Sequence, residues 1–188
     1  MGSERPLFIP VILGTTRKGR MSEHVAKFMA GEVAKQEGVE TEVVDILDIH
    51  LPLDDAGEHI KDEGFSATAM KADAFVIVTP EYNHGYPGPL KHALDTNLKE
   101  YIHKAVGICG VSAGSFGGAR VIENLLPVMR ELGLVTIFWD VNFPAVQKTF
   151  DESGRLLDEA FVKRAEKFIK ELVWMAKVLR YGRENVEI

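Results

Sequence analysis

The sequence predicts a doubly wound α/β fold: a five-stranded parallel sheet in the order 2-1-3-4-5, with helices on both faces. Five short apolar runs alternate with stretches of helical periodicity, the pattern of repeated strand–helix crossovers. The first run is apolar at almost every position, as a strand buried on both faces must be. The three least ordinary loops follow the first, third and fourth runs. In this order those strands are neighbours, so the three loops converge on the sheet edge where open α/β sheets bind ligands.

Leu7 to Leu13 is the first strand, with Pro10 removing one ladder donor. Gly14 to Arg20 is a polar loop. Val25, Phe28, Met29 and Val33 then recur at helical spacing, with Ser22 as N-cap and Gly38 as the stop. Thr41 to Leu47 is the second strand. Residues 48–66 are polar and irregular and read as a loop with a short helix leading to Met70. Ala74 to Val78 is the third strand, Leu90 to Leu98 a helix and Ala105 to Val111 the fourth strand. Val121, Ile122, Leu125, Met129 and Leu132 fit a helix that Pro127 should kink and Gly133 ends. Leu134 to Trp139 is the fifth strand, and Phe143 to Asp151 a loop in which Pro144 discourages regular structure. Phe161, Ala165, Phe168, Leu172, Ala176 and Leu179 mark a long amphipathic C-terminal helix.

The 188 residues suit one domain, 1–188, with enough apolar material (46%) for a sizeable core. A net charge of −6 without a long basic run argues against nucleic acid or an anionic membrane as the main partner. No run approaches the ~20 apolar residues of a membrane span. Residues 1–6 lack the apolar core of a signal peptide, and Pro6 stands where a myristoylation signal at Gly2 needs Ser or Thr. The expectation is a cytoplasmic protein. The lone Cys109 excludes an internal disulfide and sits in an apolar run, as a small buried hydrophobe does.

The first loop has the makings of a phosphate site. A strand–loop–helix turn aims backbone N–H groups and the positive helix end at an anion. Thr15 and Thr16 add hydroxyls, and Arg17 adds a charge-assisted donor; a solvated helix cap is the alternative. Gly14 to Gly19 has the GxxxxG spacing of an ATP-binding loop, but Arg20-Met21 replaces the Lys-Ser/Thr that the chemistry requires. The third loop, from Thr79 to Asp95, is stiffened by Pro80, Pro87 and Pro89 and carries Tyr82, Asn83 and Tyr86. It offers a platform on which a planar heterocycle can stack while its polar edge meets backbone groups. The two tyrosines would alternatively pack under the loop or at a subunit interface. After the fourth strand, Ser112, Gly114, Gly117 and Gly118 let backbone approach a ring closely, or are simply turn residues.

Other chemistries fail. The six histidines have no metal-ligand spacing. Gly110-Val111-Ser112-Ala113-Gly114 matches a nucleophile elbow letter for letter, yet no histidine follows His103, so a Ser-His-Asp hydrolase in that chain order is excluded.

Leu13-Gly14-Thr15-Thr16-Arg17 forms the first of three segments. The second is Pro80-Glu81-Tyr82-Asn83 with Pro87 to Asp95. The third is Gly110 to Gly114 with Phe116-Gly117-Gly118-Ala119-Arg120. In this order they resemble the NADPH-dependent FMN reductase family, over roughly residues 7–140. The resemblance implies a flavodoxin-like fold and one non-covalent FMN. Thr15, Arg17 and Ser22 would hold its phosphate. Pro80, Glu81, Tyr82 and Asn83 would line the isoalloxazine, chiefly by backbone, and Ser112, Gly114, Phe116 and Gly117 would lie along the other edge. No side chain is nominated as catalytic acid or base, because the flavin carries the chemistry. The sequence departs from the family pattern at Thr15 (usually Ser), at Arg20 (usually a small phosphate-binding Ser), at His84-Gly85 (usually a pair ending in Ser) and at His92 (usually Asn). The implied reaction is ping-pong hydride transfer from NADPH or NADH to a quinone, free flavin, azo compound or metal oxyanion, in a homodimer or homotetramer with flavin near a subunit boundary. A flavodoxin-like electron carrier and a non-catalytic FMN-binding module are the alternatives. The long aromatic third loop and the lack of a clustered acidic docking face argue against the carrier.

Overall fold

The structure, a computed structural model, describes residues 5–53 and 60–187. Residues 54–59, within the irregular 48–66 stretch, lie outside the described residues. So do residues 1–4, where the leader and lipidation readings begin.

The first strand runs from Leu7 to Leu13 but in two pieces, β1 (Leu7–Phe8) and β2 (Val11–Leu13). The second is divided likewise into β3 (Val39–Glu40) and β4 (Val43–Asp45). The register is continuous across the break. Leu7 pairs with Val39 and Val11 with Val43, and the Ile9 and Val11 N–H groups donate to Glu40 and Glu42 carbonyls. The interruption falls where Pro10 has no N–H to give.

β5 (Ala74–Pro80) and β6 (Ala105–Val111) form the fully buried centre. The parallel order is β4-β2-β5-β6, with β7 (Val135–Thr136) and β8 (Val141–Phe143) both beside β6. This is the expected 2-1-3-4-5 order with one correction, in the fifth strand. Thr136 pairs with Val106 and Val141 with Cys109, so five steps on one strand oppose three on the other and two residues bulge out. Phe138 and Trp139 stand exposed in that bulge, edge to face at 4.8 Å, with the Lys167 ammonium 3.2 Å from the Trp139 ring centre. Phe143, expected to open a loop, is instead a fully buried residue of β8. Pro144 does not keep the next stretch irregular either: α5 (Val146–Thr149) follows, after Ala145 in a left-handed conformation.

The helices are α1 (Ser22–Ala34), α2 (Glu63–Lys71), α3 (Gly88–Asp95), α4 (Ala119–Glu131) and α6 (Ala160–Asn185). α2 is capped by Asp62, whose carboxylate accepts from the Phe65 N–H at 2.8 Å. α3 starts earlier than expected, because Pro89 fits the first turn, where no N–H is needed. α4 continues on both sides of Pro127. Among the described residues no helix is long and apolar enough to cross a membrane.

Strand alternation sorts the core into two layers. Leu7, Ile9, Val11, Leu13, Val76, Val78 and Cys109 face α1 and α6. Phe8, Ile12, Phe75, Ile77, Val106 and Ile108 face α2, α3 and α4. The thiol of Cys109 is fully buried and its pKa is pushed well up by desolvation, so it behaves as the inert hydrophobe expected.

Gly107 sits mid-strand in β6 directly under Phe168 of α6. A Cβ there would lie 2.3 Å from Phe168 Cζ and 3.1 Å from Ile137 Cδ1. Gly107→Ala is therefore expected to cost about 1–3 kcal/mol through overpacking. Thermal unfolding checks this, and adding Phe168→Leu should restore part of the loss; a Gly107→Ala protein that melts with the wild type would show that α6 can shift freely.

Candidate functional site

Three parallel strands end level with one another, which brings their loops together. Leu13 pairs with Val78 and Pro80 with Val111, while the Gly14 N–H donates to Val78 and the Glu81 N–H to Val111. Gly14 is needed at this exit: a Cβ would lie 2.9 Å from Leu90 and 3.0 Å from the Val78 carbonyl. Between the loops is an open cleft of about 240 Å³. Arg17, Ser22, Pro80, Glu81, Tyr82 and Ser112 line it, joined by Gly19, Arg20, Met21, Val111, Ala113 and Val146.

The first loop presents donors. Among the described residues the N–H groups of Thr16, Lys18, Gly19, Met21 and Ser22 meet no acceptor, and the Arg17 N–H reaches only the Thr15 hydroxyl at 3.3 Å. Consecutive free N–H groups at the start of α1 form an anion-binding concavity. Ser22 is not the N-cap. It is the first helical residue, Met21 holds the cap position, and no side chain caps this end. The Ser22 hydroxyl is thereby left facing the cleft's wall without a partner among the described residues. Arg17 is exposed, and its guanidinium lies 4.2 Å from the Tyr82 ring centre.

The third loop is a rigid tab. The N–H and carbonyl groups of Tyr82 and Gly85 exchange hydrogen bonds of 2.9 and 3.0 Å across Asn83 (φ +50°) and His84 (φ +70°), the paired positive φ values of a type I′ turn. Asn83 is thus exposed at the turn tip, outside the cleft wall. Tyr82 and Thr15 share a 2.9 Å hydroxyl–hydroxyl bond, which ties this tab to the first loop and buries Thr15. Tyr86 packs beneath, against the core layer of α3 and α4. Glu81 turns its carboxylate away to α4, where Arg120 contacts it through its side chain at 3.0 Å and its N–H at 3.3 Å. With its N–H given to Val111, only the Glu81 carbonyl is left for a ligand. Asn124 adds a second brace, donating to the His84 carbonyl at 2.7 Å. Because α4 follows the fourth strand, these contacts lie about 40 positions apart in the chain, and no local pattern announces them.

The fourth loop corrects the glycine reading. Gly117 (φ +59°) and Gly118 (φ +79°) are buried against protein: added Cβ atoms would meet Asn142, 2.8 Å away, and the Val111 nitrogen, 2.6 Å away. They serve close packing onto β6 and β8, not the approach of a ring. Gly114 has open space above it, and Phe116 is 62% exposed with Arg120 stacked 4.5 Å from its ring centre. Ser112 bonds the Gly114 carbonyl at 3.0 Å, which holds the loop's first turn.

A larger hollow of about 640 Å³, not foreseen from the sequence, opens on the other side of the first loop. Thr16, Ile46, Leu47, Ile49, Leu51, Leu53, Gly88, Pro89 and His92 line it. Its apolar wall comes from the irregular stretch after β4, whose mixed composition carries no periodic signal.

The site thus combines an anion cradle, a stiff aromatic tab and a backbone-rich rim, which together fit a phosphorylated planar ligand. Comparison with known proteins agrees. A probable NADPH:quinone oxidoreductase from Oryza sativa subsp. japonica is 31% identical over 173 residues, 83% of this chain and 82% of that one. An NAD(P)H-dependent FMN reductase of Pseudomonas aeruginosa is 32% identical over 156 residues, 79% and 83% of the two chains. The flavoenzyme NAD(P)H:(acceptor) oxidoreductase FerB of Paracoccus denitrificans superposes with a TM-score of 0.76 at 22% identity, covering 92% of this chain and 98% of its own, and carries the same flavodoxin-like fold. The family profile described as NADPH-dependent FMN reductase matches residues 8–147, a span that takes in all three loops of the cleft, and this chain belongs to that family.

Proposed function

We propose that this protein is an FMN-dependent NAD(P)H oxidoreductase that passes reducing equivalents to a small-molecule acceptor such as a quinone. The observation that carries the reading is the set of N–H groups at Thr16, Lys18, Gly19, Met21 and Ser22 that meet no acceptor among the described residues, with the Arg17 guanidinium beside them, at the mouth of a cleft walled by Tyr82. FMN fits that donor set: its phosphate dianion would meet the N–H groups, the Ser22 hydroxyl and Arg17. The backbone of Pro80 to Tyr82 and of Ser112 to Gly114 would border the ring system. When bound, FMN supplies ping-pong hydride chemistry between NADPH or NADH and the acceptor.

The chain's own contribution is placement. Arg120 and Asn124 fix the third loop before any ligand arrives, and the Thr15–Tyr82 bond fixes the first loop to it, so little ordering remains to be done on binding. No side chain of the cleft is required as acid or base. We extend the reading to a single domain over residues 1–188 in the cytoplasm, working as a homodimer or homotetramer. The exposed Phe138, Trp174 and Tyr181 support a subunit contact.

Purified protein loaded with FMN should bleach from yellow within seconds when NADPH or NADH is added without oxygen, and recover its colour on adding a quinone. Protein that stays yellow would be a carrier or binding module instead, and protein that takes up no FMN would defeat the whole reading.

A further inference from the structure

Arg20 occupies the most ambiguous position in the first loop: it is a cation in the cleft wall, at the point where an anion would be held. Its contacts run the other way. One guanidinium nitrogen pairs with Asp45, the last residue of β4, and another donates to the Thr15 carbonyl. The Arg20 side chain is only 8% exposed and that of Asp45 22%. The second Asp45 oxygen is engaged too, accepting from the Leu47 N–H at 2.9 Å. Asp45 pairs with Leu13 in the sheet, so its own position is set by the β2–β4 ladder.

We propose that Arg20 is a positioning residue that shapes the phosphate cradle through Asp45 and does not itself bind the phosphate. The inference rests on the FMN reading above and names how its anion site is built. Arg20 joins the two ends of the loop, Thr15 and residue 20, and anchors both to a rigid strand. A loop closed in this way loses little further entropy when it receives a ligand. The Thr15 carbonyl matters most. A carbonyl oxygen turned toward a phosphate would repel it. With that oxygen held by Arg20, the planar trans peptide turns the Thr16 N–H in the opposite direction. Thr16 is the first of the unpartnered donors in the loop. The Arg20 charge is meanwhile matched by Asp45, so Arg17, which lines the cleft and has no carboxylate partner among the described residues, is the cation of the cleft wall left for the ligand.

The two roles for Arg20 make opposite predictions for Asp45. If Arg20 were a phosphate ligand, Asp45 would compete for it and Asp45→Asn would tighten FMN. If Arg20 positions, Asp45→Asn breaks the clamp and weakens FMN. FMN and riboflavin titrations, followed by flavin fluorescence quenching, separate these cases, because riboflavin lacks the phosphate. Asp45→Asn and Arg20→Ala are each expected to weaken FMN about tenfold, the low end for losing a charged hydrogen bond. Riboflavin affinity should stay within about twofold, and the double variant should bind FMN no worse than either single one, as expected for two residues acting as one unit. Tighter or unchanged FMN binding by Asp45→Asn would overturn the proposal, as would an equal loss of riboflavin, which would mark a general loosening of the fold. A wild-type protein that takes up no FMN would instead bring down the flavin reading and this inference with it.

Discussion

Replacing Asp73 with alanine is expected to lower the unfolding free energy by about 3–5 kcal/mol, the cost of removing one partner from a buried ionic cluster. Asp73 lies between α2 and β5, and its side chain is completely buried. Arg5 grips both oxygens at 2.7 and 2.9 Å, the Phe8 N–H donates at 3.0 Å and Arg183 reaches it at 3.2 Å, with Arg180 at 3.7 Å. The cluster fastens the end of α6 and the entry of the first strand to the start of the third. Without the carboxylate, the Phe8 N–H and the surrounding guanidinium groups lose their shared acceptor. Burial, helped by the Arg183 charge, already pushes the pKa of the neighbouring Lys104 amine down to about 8, and the charges of Asp73 and Glu100 oppose that fall. Asp73→Ala should lower it further. At about 2–4 °C per kcal/mol for a chain of this size, the melting temperature should drop by roughly 10 °C. The cluster sits at the opposite end of β5 from the cleft, so FMN affinity measured well below the melt should not change. A loss under about 1 kcal/mol in denaturant titration would mean that the arginines find water as easily as they found Asp73.

Arg17→Ala should have the converse profile, with affinity lost and stability kept. The side chain is exposed and stacks on the Tyr82 ring, with no ion pair among the described residues, so its removal should move stability by no more than about 0.5 kcal/mol. Losing a charge-assisted contact to the phosphate should weaken FMN about 10- to 100-fold, the range for hydrogen bonds to charged groups. Riboflavin should bind nearly as before. The wild-type advantage for FMN should also shrink with added salt, since an exposed cation is screened. Equal FMN affinity in wild type and variant would remove Arg17 from the phosphate site.

Much of the architecture is legible in local pattern. Fully buried strands such as Ala74–Pro80 and Ala105–Val111 must be apolar throughout, and amphipathic helices repeat their apolar residues at 3.6-residue spacing, so both are written in consecutive residues. The fifth strand was less legible. The apolar residues of Leu134 to Trp139 suggest one uninterrupted strand, but only pairing with β6 decides where its ladder breaks, and the bulge expels Phe138 and Trp139. Ser22 has the chemistry of an N-cap, yet the turn from Arg20 places it one residue inside the helix. Gly117 and Gly118 look like ligand-facing glycines from composition alone. Their true neighbours, Asn142 and Val111, arrive through strand pairing.

The sequence by itself determined the doubly wound class, the three loops that meet at one sheet edge and the residue types that suit a phosphate and a flat ring. Those properties are local: they depend on periodicity, on proline and glycine geometry and on donors within a few positions of one another. The tertiary structure alone decided which of those residues face the cleft and which hold it. The Arg20–Asp45, Glu81–Arg120 and Asp73–Arg183 pairs join positions 25 to 110 residues apart. Each forms because the sheet order brings two chain segments to the same edge, and the low dielectric there makes an unpaired charge too costly to leave.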